Sequence, residues 1–177
     1  MGNPSSGNIL WFTGLSGAGK TTTARELYRL MIQMGQRVEL LDGDEIRLQL
    51  CKDLGFDREG RLENIRRIRY VADVLSKHQV DVIVSAITPY REMRGFLRSN
   101  LPGYVEIYAK CSLDECERRD VKGFYAKARN HTISNFTGIS DPFEEPDCPD
   151  IMIDTETGSL TGNRDLIIEW LRDRNRL

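Results

Sequence analysis

The stretch Gly14-Leu15-Ser16-Gly17-Ala18-Gly19-Lys20-Thr21 constrains this chain more than any other, because it satisfies G-x-x-x-x-G-K-[ST] in full. An apolar run, residues 9–13, precedes it. A segment with Ala24, Leu27, Tyr28 and Met31 at helical spacing follows. A buried strand must therefore end, turn through glycines and open a helix. Such a turn aims backbone N–H groups and the positive end of a helix at one place, which is how phosphates are held. Gly14, Ser16, Gly17, Ala18, Gly19, Lys20, Thr21 and Thr22 are the candidate nucleotide-binding residues. Lys20 can reach the β- and γ-phosphates, and the Thr21 hydroxyl can ligate Mg²⁺.

The rest of the chain repeats the alternation that begins there. Apolar runs at 38–41, 82–86, 104–109 and 151–153 read as four more strands. Helices are expected over 22–34 with Gly35 as C-cap, then over 45–52, 63–77, 90–99, 113–119 and 164–172. Ser112 and Glu115 read as a capping box for the helix at 113–119. Continuous apolar strands alternating with helices predict a parallel sheet covered on both faces. Residues 121–149 break the rhythm with Lys122, Gly123, Lys127, Arg129, Gly138, Pro142, Pro146 and Pro149. A strand and a helix follow, so this segment reads as a mobile lid rather than a linker.

With 177 residues, one domain over 8–177 is expected behind a flexible polar leader at 1–7. The leader carries a loose N-myristoylation pattern, Met1-Gly2-Asn3-Pro4-Ser5-Ser6, on so short a match that the bland reading is preferred. A balance of 25 Lys+Arg against 27 Asp+Glu offers no basic field for nucleic acid. No apolar run approaches the roughly 18 residues that span a bilayer. Cys51, Cys111, Cys116 and Cys148 form no CxxC pair, so reduced thiols in a cytoplasmic protein are expected, with no zinc site. Cys111 and Cys116 read as small core residues, His131 as exposed, and Arg58 and Arg69 as a solvated helix face.

A triphosphate site does not by itself choose between kinase, ATPase and GTPase. There is no Asn-Lys-x-Asp to read guanine, and the third strand ends in Ser85-Ala86 where a metal-binding Asp is usual. Asp42 and Asp44, at the end of the second strand, are the carboxylates placed to orient Mg²⁺ and to accept a proton from a hydroxyl.

The surrounding sequence resembles the adenylylsulfate (APS) kinase family. The resemblance is carried by Asp42-Gly43-Asp44-Glu45-Ile46-Arg47, by residues 55–67 from Gly55-Phe56-Asp57 to Arg66-Arg67, by Ser85-Ala86-Ile87-Thr88-Pro89-Tyr90-Arg91, by residues 117–129, and by Phe136-Thr137-Gly138-Ile139-Ser140-Asp141-Pro142-Phe143-Glu144. It implies a three-layer α/β P-loop kinase fold with five parallel strands and a lid. It also implies transfer of the ATP γ-phosphate to the ribose 3′-hydroxyl of adenosine 5′-phosphosulfate, with Mg²⁺. On that resemblance Asp44 is the candidate base, Asp42 supports metal and water, and Lys20 and Thr88 complete the catalytic set. Arg47, Arg61 and Asn64 hold the phosphosulfate and ribose. Phe56 and Phe136 sandwich the acceptor adenine. Ile87 and Thr88 line its site, with Lys122 and Asn135 in the lid. A homodimer is the implied assembly.

The family pattern is broken in three places: Thr88 where Ser is usual, Glu45 where Asn is common, and the pair Ser134-Asn135 where Lys-Gly is common. They leave two alternatives open. One is a related kinase for another small acceptor, such as a cytidine diphosphate phosphoramidate. The other is a nucleotide-binding module without turnover.

Overall fold

β1 (Ile9–Thr13) is buried at every residue and lies at the middle of a five-stranded parallel sheet. A computed structural model describes residues 6–177. The leader expected at 1–7, with its acylation pattern, begins in residues 1–5, outside the described residues. Gly7 is held, donating its N–H to the Ser76 carbonyl at 2.9 Å and accepting from Ser76 Oγ at 2.7 Å.

The other strands are β2 (Val38–Asp42), β3 (Asp81–Ser85), β4 (Tyr104–Lys110) and β5 (Ile151–Asp154), in the spatial order β2-β3-β1-β4-β5. Ile9 pairs with Val82 on one side and with Tyr104 on the other. Successive side chains of a strand face opposite ways, so β1 feeds two cores. Leu10 and Phe12 pack with Ala24, Leu27 and Met31 of α1 (Lys20–Gln33) and with Ile167, Ile168 and Leu171 of α7 (Leu160–Asp173). Ile9 and Trp11 pack with Ile65, Ile68 and Ala72 of α3 (Arg58–Lys77) and with Met93 and Leu97 of α4 (Arg91–Asn100). Each fully buried Leu, Ile or Met contributes about 1.5–3 kcal/mol. The three layers are thus fixed by the sheet's two apolar faces. A smaller cluster of Ala18, Cys111, Cys116 and Tyr125 lies beneath the glycine-rich turn. Burial pushes the Cys116 thiol up to about 12, so it behaves as a small apolar residue.

Helix boundaries shift where side chains cap. α2 (Gly43–Leu50) begins two residues before the expected start because the Asp42 carboxylate accepts from Asp44 and Glu45 N–H at 3.0 and 3.4 Å. α3 begins at Arg58, not 63, because Asp57 caps the Gly60 N–H at 2.7 Å. α7 begins at Leu160, not 164, on the Ser159 cap. α5 (Leu113–Arg119) runs as expected, but its capping box is half made. Ser112 Oγ accepts from Glu115 N–H, whereas the Glu115 carboxylate pairs with Arg118 and Arg119, and the Ser112 N–H goes to Glu156. The lid segment contains a helix the sequence reading omitted, α6 (Phe124–Arg129), whose first turn donates to the Asp120 carboxylate. Among the described residues no helix is long and apolar enough to cross a membrane.

Gly60 shows how tightly α3 seats the loop before it. A Cβ there would lie 2.5 Å from the Gly55 carbonyl oxygen and 3.0 Å from its carbon. Alanine in a helix interior is worth about 1 kcal/mol over glycine, but this backbone contact outweighs it. Gly60→Ala is expected to destabilise the fold by about 1–3 kcal/mol, the usual cost of overpacking. A lowered urea midpoint at unchanged slope would show it.

Candidate active site

β1 delivers the chain to Gly14 at the carboxyl edge of the sheet. Gly14, Gly17 and Gly19 take φ of 146°, 76° and 74°, which glycine adopts without steric cost. α1 opens at Gly19 with no side-chain cap, so its first N–H groups are left for a ligand. Lys20 is buried, and its Nζ donates to the Gly14 and Leu15 carbonyls at 2.9 and 2.6 Å. Burial pushes its pKa down to about 8, and Lys122 adds to the lowering, while Asp44 and Asp42 oppose it.

Thr21 Oγ1 lies 3.1 Å from Asp42 Oδ2 and 2.9 Å from Ser85 Oγ. Ser85 therefore offers a hydroxyl where the third strand lacks a carboxylate. This hard-oxygen set suits Mg²⁺, which takes few protein ligands and fills its shell with water and phosphate oxygens. Among the described residues no cluster of three or more His, Cys, Asp or Glu side chains could hold a metal alone. The residues present fit Mg²⁺, which Thr21 would hold with Asp42 and Ser85 nearby.

A cavity of about 520 Å³ opens over this turn. From the turn it is lined by Ser16, Gly17, Gly19, Lys20, Thr21 and Thr22. Gly14 and Ala18 stand behind the turn, and Asp42 reaches the site only through Thr21 and its cap. On the far wall stand Asp44 and Arg47 of α2, Phe56, and Arg61 and Asn64 of α3. Ile87 and Thr88 after β3 form the floor. Lys122, Asn135 and Phe136 come from the lid. Residues separated by more than a hundred positions thus share one chamber.

Many of its polar groups are satisfied internally. Lys122 pairs with Asp44 across the cavity mouth. Arg47 lies over the Phe56 ring, 4.1 Å from its centroid, and donates to the Leu54 and Gly55 carbonyls. Arg61 donates to the Phe56 carbonyl at 2.8 Å and to that of Asn135. The Arg47 guanidinium is held below its usual pKa by burial and then by the neighbouring charge of Arg61. An anion between the two would relieve that repulsion. Asn64 is buried, and its Oδ1 has no hydrogen-bond partner among the described residues.

Thr88 lines the cavity at φ 48°, and its hydroxyl accepts from Trp11 Nε1 at 2.8 Å and donates to the Ala86 carbonyl at 3.4 Å. Sequence reasoning missed Tyr125, whose hydroxyl donates to the Ser16 carbonyl at 2.8 Å and whose ring meets Phe136 edge-on at 4.9 Å. It also missed Tyr90, which donates to the lid's Asp141 at 2.8 Å; burial and then Asp141 push its pKa up to about 12. Arg58, read as a solvated face, pairs with Glu92 and covers the Tyr90 ring. Arg69 lies 5.9 Å from the Phe96 ring centroid, and His131 is exposed as expected.

A family model described as adenylylsulphate kinase matches residues 6–154. The chain is 54% identical over 155 residues to the adenylyl-sulfate kinase of Chloroflexus aurantiacus, covering 88% of this chain and 83% of that one. It is 46% identical over 168 residues to the adenylyl-sulfate kinase of Halothermothrix orenii, covering 95% and 91% respectively. Among solved structures, the Mycobacterium tuberculosis APS kinase in complex with AMPPNP and APS matches at a TM-score of 0.91 and 38% identity, over 96% of this chain and 99% of that one.

The state of Lys20 makes triphosphate binding pH-dependent. In the free protein burial disfavours the charged amine, whereas bound phosphate favours it. Binding above the free-state value of about 8 must therefore take up a proton. Nucleoside triphosphate affinity is expected to hold from about pH 6.5 to 8 and to fall by up to about tenfold per unit beyond it. Titration calorimetry across that range reads the loss, which Lys20→Arg should remove.

Proposed function

The chain belongs to the adenylylsulphate kinase family, and on that premise we propose how its own residues carry out the family reaction. It is an ATP-dependent kinase that moves the γ-phosphoryl group of ATP to the 3′-hydroxyl of adenosine 5′-phosphosulfate. The products are ADP and 3′-phosphoadenosine 5′-phosphosulfate. The observation that carries this reading is the cavity that joins the glycine-rich turn to Asp44, Arg47, Arg61 and the rings of Phe56 and Phe136.

ATP phosphates draw Lys20 off the Gly14 and Leu15 carbonyls, and its charge then faces the oxygens between the β- and γ-phosphorus atoms. Thr21, with Asp42 through water, would hold Mg²⁺, which supplies charge neutralisation at those phosphates when bound. The acceptor's purine enters between Phe56 and Phe136. It displaces the Arg47 guanidinium from the Phe56 face and frees it, beside Arg61, for the phosphosulfate. Planar guanidiniums bind such tetrahedral oxyanions bidentately. Asn64 Oδ1, unpartnered among the described residues, accepts from a ribose hydroxyl. The same anion draws Lys122 from Asp44, whose carboxylate is then free to accept the 3′-hydroxyl proton as the oxygen attacks phosphorus. Asn135 closes over Arg61 through its carbonyl, and the lid excludes the water that would hydrolyse ATP.

Two finer points are proposed with it. Cytoplasmic residence is supported by four free cysteines, three of them buried. A homodimer is supported by the family resemblance, and sedimentation reads it directly.

The function is tested by ATP-dependent phosphorylation of adenylylsulfate, AMP and a cytidine diphosphate phosphoramidate. A strong preference for adenylylsulfate is expected. Preference for the cytidine compound would overturn the acceptor and point to Glu45, Ser134 and Asn135 as marks of a changed substrate.

Asp44→Asn keeps the shape but removes the proton acceptor and the partner of Lys122. Turnover is expected to fall by about 10²–10⁴-fold, the range for general-base loss, with ATP affinity within about threefold of the parent. Single-turnover kinetics at saturating substrates separate the two quantities.

A further inference from the structure

Arg91, Arg94 and Arg98 recur on α4 at a spacing that reads as a solvated stripe, and two of them are exposed. Arg94 is not: its side chain is 4% exposed. Its guanidinium reaches three elements at once. Nε lies 3.2 Å from Glu106 Oε1 on β4, Nη1 donates to the Thr88 carbonyl at 2.9 Å, and Nη2 donates to the Glu144 carbonyl at 2.6 Å. Glu106 is tied in turn to Arg98 and, through its backbone N–H, to Asp150.

Stability alone does not require this arrangement. A buried ion pair commonly does no better than apolar residues of the same volume, because desolvation cancels the attraction. An apolar side chain could not bind two carbonyls from separate segments, and the two it binds are informative. Thr88 is a β-branched residue at φ 48°, a conformation that costs of order 1–3 kcal/mol and persists only where the surroundings impose it. The residue before it is spliced to the phosphate turn: Ile87 O accepts from Thr13 Oγ1 at 2.7 Å and from Gly14 N–H at 3.3 Å. Glu144 lies in the closing part of the lid segment, five residues before its end. Its N–H donates to the Pro89 carbonyl at 2.9 Å, and its carboxylate accepts from Arg91 N–H at 2.6 Å.

We infer that Arg94 is a positioning residue for phosphoryl transfer: it holds the strained Thr88 wall of the acceptor site and the fixed part of the lid in one frame with the phosphate turn. It touches no substrate. It acts by keeping the acceptor wall at a set distance from the turn and by giving the lid a rigid heel against which to close. The inference rests on the acceptor site assigned above.

Arg94→Ala alone leaves Glu106 buried without this partner and can fail through misfolding. The test therefore uses Arg94→Met/Glu106→Gln, which removes both charges, beside Glu106→Gln, which keeps both carbonyl contacts. The double variant is expected to raise the KM for the acceptor and lower kcat, with kcat/KM reduced by about tenfold or more, while the Kd for ATP stays within about twofold. Glu106→Gln is expected to lower the melting temperature with acceptor kinetics within about twofold of the parent. Millimolar guanidinium is expected to restore acceptor kcat/KM in Arg94→Ala. Unchanged acceptor kinetics in the folded double variant, parallel loss of ATP and acceptor affinity, or equal damage from Glu106→Gln each overturns the inference. The parent enzyme is assayed first with the acceptor panel. A parent inactive toward adenylylsulfate refutes the acceptor reading, and the variants are then compared on whichever panel member is phosphorylated.

Discussion

The whole arrangement depends on β1 having neighbours on both edges and helices on both faces. A strand so enclosed can release its chain only at its ends, and the end after Thr13 opens at the carboxyl edge of the sheet. There the first residues out are fastened to the neighbouring strand's exit through Ile87. That splice places the phosphate turn and the acceptor wall side by side without any long loop to hold them apart. β2 runs parallel on the far side of β3, so Asp42 and Asp44 arrive at the same edge. The carboxylates, the hydroxyls and the lysine converge because parallel strands all end on one side.

Much of this was legible in the residues. The glycine turn was visible because its spacing and its flanking strand and helix agree. The five strands were visible because both faces of the sheet are covered and each run is mainly apolar, broken only by Glu39 in β2, Glu106 in β4 and polar or charged residues at strand ends. Errors clustered at helix starts, where Asp57 and Ser159 cap earlier than the apolar pattern begins. α6 escaped because a six-residue helix carries little periodicity and opens at Gly123 without a side-chain cap, its first-turn N–H groups reaching back to Asp120 instead.

The candidate site was legible in its residue types but not in its pairings. Asp44 and Lys122 come from segments with no local signal of contact, and only the folded chain joins them. The hydrogen bonding of the Thr88 hydroxyl could not be read, since it depends on Trp11 standing one strand away. Arg94 was hidden for the opposite reason: its spacing from Arg91 and Arg98 imitates an exposed face, and burial is decided by Glu106 across the layer.

The parked state of Lys20 has one further consequence. Its ammonium already holds two neutral oxygens at ordinary hydrogen-bond distance, so an incoming ligand must outbid them. A hydrogen bond to a charged acceptor is about twice as strong as one to a neutral acceptor. A weakly charged anion that offers one oxygen therefore exchanges two contacts for roughly their equal and gains almost nothing. A ligand that presents several oxygens with dense negative charge gains on every one. The turn thus sorts anions by charge density before shape is consulted.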